Sequence, residues 1–162
     1  MVLLERLTGL SAESRTSRHS FIRFLKIMIS FQKESTLNLE EYIFILTDSG
    51  LGKRRPMDNP DHLEQMIQGS NLLVTARENG QLVGFLRGLS DFCYRCFIAD
   101  LAVAKGYQGQ GIGREILNYT RSLAPEARLI LFAAEDAEPF YKRLGFKAHE
   151  HCYQLKPCES LK

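Results

Sequence analysis

At 162 residues, 44% hydrophobic and 25% charged, the chain has the size and composition of one globular domain with a substantial core. Its net charge of +2 is unevenly placed: residues 1–27 carry five Lys/Arg against two acids, net +3, and the remainder sixteen against seventeen, net −1. A near-neutral body excludes the broad basic field of a nucleic-acid binder, and no apolar run approaches the length of a membrane span.

Residues 1–27 are weakly patterned and rich in Arg, Ser and Thr toward their end. They are expected to form an N-terminal extension, loosely docked or disordered, with a faint resemblance to an organelle-targeting peptide. Met28 offers an alternative start, because the patterned domain, residues 28–156, begins there and leaves 157–162 as a tail. Residues 28–35 alternate as a first strand. Asn38 then caps a helix, with Glu41 completing an N-x-x-E box and Gly50 ending it. The run Lys53, Arg54, Arg55 reads as a solvated loop, with a substrate contact as the alternative, before a second helix, which Pro60 or Asp61 opens and Gly69 stops.

LLVTARE and QLVGFLRG are separated only by Asn79-Gly80, the preferred dipeptide of a type I′ turn, and predict an antiparallel hairpin. SDFCYRC follows as a loop or edge segment. Residues 97–104 form a buried strand, which leads through a glycine-rich turn, residues 106–113, into an amphipathic helix over 111–124. Pro125 breaks that helix. ARLILFAA is a further buried strand, Glu135 or Asp136 opens a short helix closed by Gly145, and residues 146–155 make one or two final strands. The order predicts an α/β fold: a mixed, mostly antiparallel central sheet with helices on both faces, its one parallel pair joined by the long helix.

Four cysteines are present: Cys93 and Cys96 in a CxxC, and Cys152 and Cys158 near the end. Without a secretory signal they are expected to be reduced thiols of a cytoplasmic chain. His149, His151 and Cys152 add donors, but the spacing of HEHC is not that of a zinc finger and no metal is expected.

The chemistry lies in the glycine turn. Gly106, Gly109, Gly111 and Gly113 allow backbone N–H groups to approach a ligand, and the helix that follows begins with unpaired donors and a partial positive charge. This makes a phosphate or pyrophosphate site. A Walker loop is excluded because Ile112-Gly113 replaces its Lys-Ser/Thr. A dinucleotide fingerprint is excluded because Gly109, Gly111 and Gly113 are one residue short, and a hairpin rather than a βαβ opening precedes the strand.

What is left is Gln108-x-x-Gly111-x-Gly113. With the strand LAV before it and FYKRLGF (140–146) after it, this combination resembles the GCN5-related N-acetyltransferases over residues 28–155. The resemblance implies an acyl-CoA N-acyltransferase fold with acetyl-CoA as co-substrate. It implies that Leu101, Ala102 and Val103 pair with the pantetheine arm. The N–H groups of Gln108, Gly109, Gln110, Gly111, Ile112, Gly113 and Arg114 then hold the pyrophosphate. Tyr141 fits the family's proton donor to the departing thiolate, set against a plain role as a core aromatic. Many members carry Asn seven residues before that tyrosine; here the position is Ala134.

The general base is open. Asp100 lies on the strand itself, and a charge within an apolar run calls for a reason. Its side-chain parity is opposite to that of Leu101 and Val103, so it reads equally as an anchor for a neighbouring helix or loop. Asp91 and Glu135 are weaker candidates, and water relay needs no dedicated base. The implied activity is acetyl transfer to a primary amine of a small molecule or protein; the alternative is a non-catalytic acetyl-CoA sensor or interaction module. The edge and final strands offer a pairing surface for a homodimer.

Overall fold

The computed structural model describes residues 29–161. The expected extension over 1–27 and the alternative start at Met28 lie outside the described residues. The element order is β1 (Ile29–Glu34), α1 (Leu39–Ser49), α2 (Pro60–Gln68), β2 (Leu72–Glu78), β3 (Gln81–Ser90), β4 (Arg95–Val103), α3 (Ile112–Leu123), β5 (Arg128–Leu131) and α4 (Glu138–Arg143), with short 3-10 turns at Leu51–Arg54, Lys105–Tyr107 and Glu135–Ala137.

The caps form as the sequence dictates. The Asn38 side chain accepts from the Glu41 N–H at 3.0 Å, and Asn59 accepts from His62 N–H at 3.0 Å. Asn79 and Gly80 both take positive φ, 50° and 87°, as a type I′ turn requires. Among the described residues the strands form one sheet in the order β1-β2-β3-β4-β5, antiparallel throughout except for the parallel β4–β5 pair.

Helices cover both faces. On one, α1 and α2 bury Tyr42, Ile45, Leu46 and Leu63 against Leu73, Phe85 and Ala102. On the other, α3 buries Ile112, Ile116 and Leu117 against Leu72, Val74, Leu86 and Ile98, with Phe140, Tyr141 and Phe146 packed alongside. Each face removes a continuous apolar surface from water, which is the main force holding the layers together.

Two expectations need correction. Residues 146–155 form no strand, and ARLILFAA pairs only over Arg128–Leu131. After Phe146 the apolar residues are too sparse to cover a sheet face: Tyr153 is 88% exposed and Leu155 55%. The parallel pairing of β5 with β4 ends at Leu131 and Ile98, which limits β5 to four residues. SDFCYRC, expected as loop or edge, is divided between the end of β3, the loop 91–94 and the start of β4.

Candidate active site

A bulge in β4 creates the site. Arg87 pairs with Asp100 and the next residue, Gly88, with Ile98, so Ala99 is the extra residue. Gly88 is what permits it: a Cβ there would lie 2.8 Å from the Phe97 carbonyl oxygen. The bulge reverses which face each side chain meets. Cys96 and Ile98 lie in the core under α3, whereas Ala102 lies under α1 and Asp100 bonds to α1.

The parallel register with β5 also ends here, at Ile98 and Leu131. Beyond this fork, residues 99–103 have no strand partner on their β5 side among the described residues. The Ala104 N–H donates to the Val83 carbonyl at 2.9 Å, so by alternation Leu101 and Val103 direct their backbone groups to the open edge. Gln108 Nε2 donates to the Val103 carbonyl at 2.9 Å.

The turn that follows β4 is built around Gly109 and Gly111, with φ of 76° and 85°, a region costly for any residue with a Cβ. Ile112 is buried and pins the turn to the core, while Arg114 is exposed. Gln110 Nε2 donates to the Gly106 carbonyl at 2.9 Å and stiffens the loop. The backbone N–H groups of residues 109–114 have no hydrogen-bond acceptor among the described residues, and they open α3. Gln108 differs from the expectation: its N–H is used within the turn, donating to Lys105 at 3.3 Å. This concave run of donors at a helix N-terminus has the chemistry of a pyrophosphate cradle.

Tyr141 is on α4 and packs against the core on the α3 side of the sheet. Its ring is half-buried, edge-on to Phe140 and Phe146 at centroid distances of 5.1 and 5.5 Å. Its hydroxyl makes no hydrogen bond among the described residues, and Tyr141 lines an open groove of about 1120 Å³ together with Arg114, Leu117, Leu131, Phe132 and Phe146; Leu101, Val103 and residues 109–113 do not line it. Burial raises its pKa, and the Arg54 guanidinium opposes that rise. The phenol therefore keeps its proton at neutral pH. Gly113 sits against the Phe140 ring, which ties the turn to α4. Ala134, in the place of the expected Asn, offers only its carbonyl, which accepts from Ala137 and Glu138 at 3.0 and 3.1 Å.

Asp100 is 2% exposed and points away from that groove. Oδ2 accepts from Tyr42 Oη at 2.8 Å and from Arg87 Nε at 2.5 Å; Oδ1 accepts from Arg55 Nε at 2.6 Å. Arg55 Nη2 also donates to the Ala99 carbonyl at 2.9 Å, and Arg87 Nη1 to the Met66 carbonyl and Ser70 Oγ at 3.2 and 3.1 Å. Burial and the Asp100 carboxylate push the Tyr42 phenol upward, which keeps it a donor. One carboxylate thus joins α1, the loop before α2, α2, β3 and the bulge of β4.

Comparison with known proteins decides the family. The model of the acetyltransferase (GNAT) domain matches residues 48–156, more than half of the chain. The chain belongs to the GNAT acetyltransferase family. It is 29% identical over 133 residues to an uncharacterized N-acetyltransferase, ycf52, of Pyropia yezoensis, covering 77% of this chain and 72% of that one. It is 39% identical over 79 residues to GCN5-related N-acetyltransferase 3, chloroplastic, of Arabidopsis thaliana, covering 47% of this chain and 33% of that one. A GNAT family acetyltransferase structure from Streptococcus pneumoniae superimposes with a TM-score of 0.66 at 25% identity, over 82% of this chain and 98% of that one.

As a GNAT acetyltransferase, the chain carries Leu101 and Val103 on the open edge of β4, the 109–114 donors in the turn that follows and Tyr141 on α4, and leaves Asp100 and Ala102 behind the sheet. Sequence reading missed Tyr42, Arg55 and Arg87. Arg55 looked like part of a solvated run, yet it is an ion-pair partner. Arg87 was findable: a charge in FLRG that falls opposite Asp100 once the two strands are paired.

Proposed function

We propose that the chain transfers the acetyl group of acetyl-CoA to a primary amine of a small molecule or protein, by direct attack of that amine. The observation that supports this reading is the open edge of β4 running directly into the unpaired donors of residues 109–114, with α4, which carries Tyr141, packed on that turn through Phe140.

Acetyl-CoA supplies an acyl thioester. The N–H groups of residues 109–114 hold its pyrophosphate, with Arg114 adding a positive charge. The backbone groups of Leu101 and the N–H of Val103 pair with the pantetheine arm as an added strand would. Gln108 keeps the Val103 carbonyl satisfied, and Ala102 serves only to set the alternation. An N–H of this edge also faces the carbonyl oxygen on which negative charge develops. Tyr141 Oη gives its proton to the sulfur as the C–S bond breaks, and the acceptor's surplus proton leaves through water.

Asp100 is assigned to positioning rather than to proton abstraction, because both of its oxygens are engaged by cations and Tyr42. The free thiols of the cysteines fit a reducing compartment such as the cytoplasm.

The test is purified protein with acetyl-CoA and a panel of amines, followed by thiol release. Thiol should appear only when an amine is present. A chain that is thermally stabilised by acetyl-CoA yet inert across a broad panel would be a binding module instead.

A further inference from the structure

The loop between α1 and α2 carries three consecutive cations with different fates. Arg55 is drawn into the Asp100 network and donates to the Ala99 carbonyl at the bulge. That contact fixes the loop over the point where β4 and β5 part. Lys53 and Arg54 close the preceding 3-10 turn, and both are exposed. Among the described residues neither forms an ion pair. Charged side chains held in a fixed turn with no partner, next to a reaction centre, are available to a ligand. The Arg54 carbonyl accepts from Arg55 Nη1 at 2.8 Å, so its exposed side chain is carried on the turn that Arg55 fastens to the bulge where β4 and β5 part, and its charge opposes the rise in the Tyr141 pKa.

We propose that Arg54, with Lys53 beside it, receives an anionic group of the acceptor, a carboxylate or phosphate set a few bonds from the attacking amine. The proposal rests on the transferase reading of the fork and narrows its substrate class. A guanidinium suits this task because its planar donors match two oxygens of either anion at once. The loop is anchored through Arg55, so the cationic rim is in place before the acceptor arrives and little ordering is needed on binding. Asp58, further along the same loop, and Asp61, in the first turn of α2, are also exposed and make no ion pair among the described residues. Moderate salt should therefore weaken the preference without inverting it.

Paired acceptors test it. Turnover of an amino acid is compared with that of its amide, and of an amino-alcohol phosphate with that of the amino alcohol, so that the two arms separate carboxylate from phosphate. In at least one pair the anionic member should be favoured in kcat/KM by about tenfold, and Arg54→Gln should bring the ratio near parity. Equal turnover within both pairs, or a preference that survives Arg54→Gln, overturns the proposal. A second measurement does not need turnover: the Arg54 guanidinium NMR resonance is followed as succinate or inorganic phosphate is added to the CoA-saturated protein. A saturable shift, absent in Arg54→Gln, is expected; no shift at millimolar anion sinks the idea. If no amine is acetylated but the resonance still moves, the transferase reading fails and the anion site stands.

Discussion

One guanidinium, that of Arg55, holds both the Asp100 carboxylate and the Ala99 carbonyl, and so fastens the loop before α2 to the bulge of β4. The bulge is where β4 leaves β5, so the geometry of the fork depends on a charge cluster buried on the other side of the sheet. Substituting Asp100→Asn removes one charge and leaves Arg55 and Arg87 facing each other without compensation. Breaking a buried pair of this kind costs about 3–5 kcal/mol. Denaturant unfolding should show a loss of that size. In whatever folded fraction remains, the pH–rate profile should keep the limbs of the wild type. Loss of the limb for a catalytic base would instead make Asp100 that base.

Tyr141 should divide binding from chemistry. Tyr141→Phe keeps the ring between Phe140 and Phe146 and deletes only the hydroxyl. Removing a general acid lowers turnover by about 10²-fold or more. We expect kcat to fall by that factor while KM for acetyl-CoA changes little. Unchanged turnover would return Tyr141 to the role of a packing aromatic.

The fold was largely readable because its signals are local. The Asn38 and Asn59 caps, the Asn79-Gly80 turn and the glycine turn before α3 are each set by a few neighbouring residues. The bulge at Ala99 was not readable. Burial alternates along β4 without a break, through Cys96, Ile98, Asp100 and Ala102, although the face changes between Ile98 and Asp100. That change is a property of the pairing with β3 and of Gly88, both distant in sequence. Two partners of Asp100 were hidden for a related reason, since Tyr42 and Arg55 reach it only once α1 and the loop before α2 are packed on the sheet, whereas Arg87 follows from strand pairing alone. The final strands were misjudged because short alternation after Phe146 resembles a strand but carries too little apolar surface to bury.

Gly111 tests the cradle. Its φ is 85°, and a Cβ added there would meet no atom within 4 Å. Gly111→Ala therefore creates no clash within the protein and carries only the backbone cost of the left-handed region, about 1–2 kcal/mol. The same methyl would stand in the concavity that residues 109–114 line. Calorimetry should show CoA affinity reduced about tenfold, with a small fall in melting temperature. Equal affinity would mean that the pyrophosphate lies elsewhere.

A second ion cluster, at the β1 edge of the sheet, governs acid stability. Glu34 accepts from Thr75 Oγ1 at 2.6 Å, Arg77 Nε at 2.7 Å and Gln32 Nε2 at 2.9 Å, and Arg77 reaches on to Glu41 at 2.8 Å. Burial works against the charged carboxylate, but the hydrogen bonds from Arg77, Thr75 and Gln32 outweigh it and hold the pKa near about 2, below the ordinary 4.5. A carboxyl that is more acidic folded than unfolded stabilises the fold above its unfolded pKa. That contribution is lost as the pH falls toward the folded value. Wild type should therefore lose stability on the order of 2 kcal/mol from this group as pH falls from about 4.5 to about 2. Glu34→Gln should be less stable than wild type at neutral pH, and the gap should narrow steadily across that window. Urea unfolding of both proteins at several pH values measures it. A gap that stays constant with pH would mean that the Glu34 charge contributes nothing and that only the shape of its side chain matters.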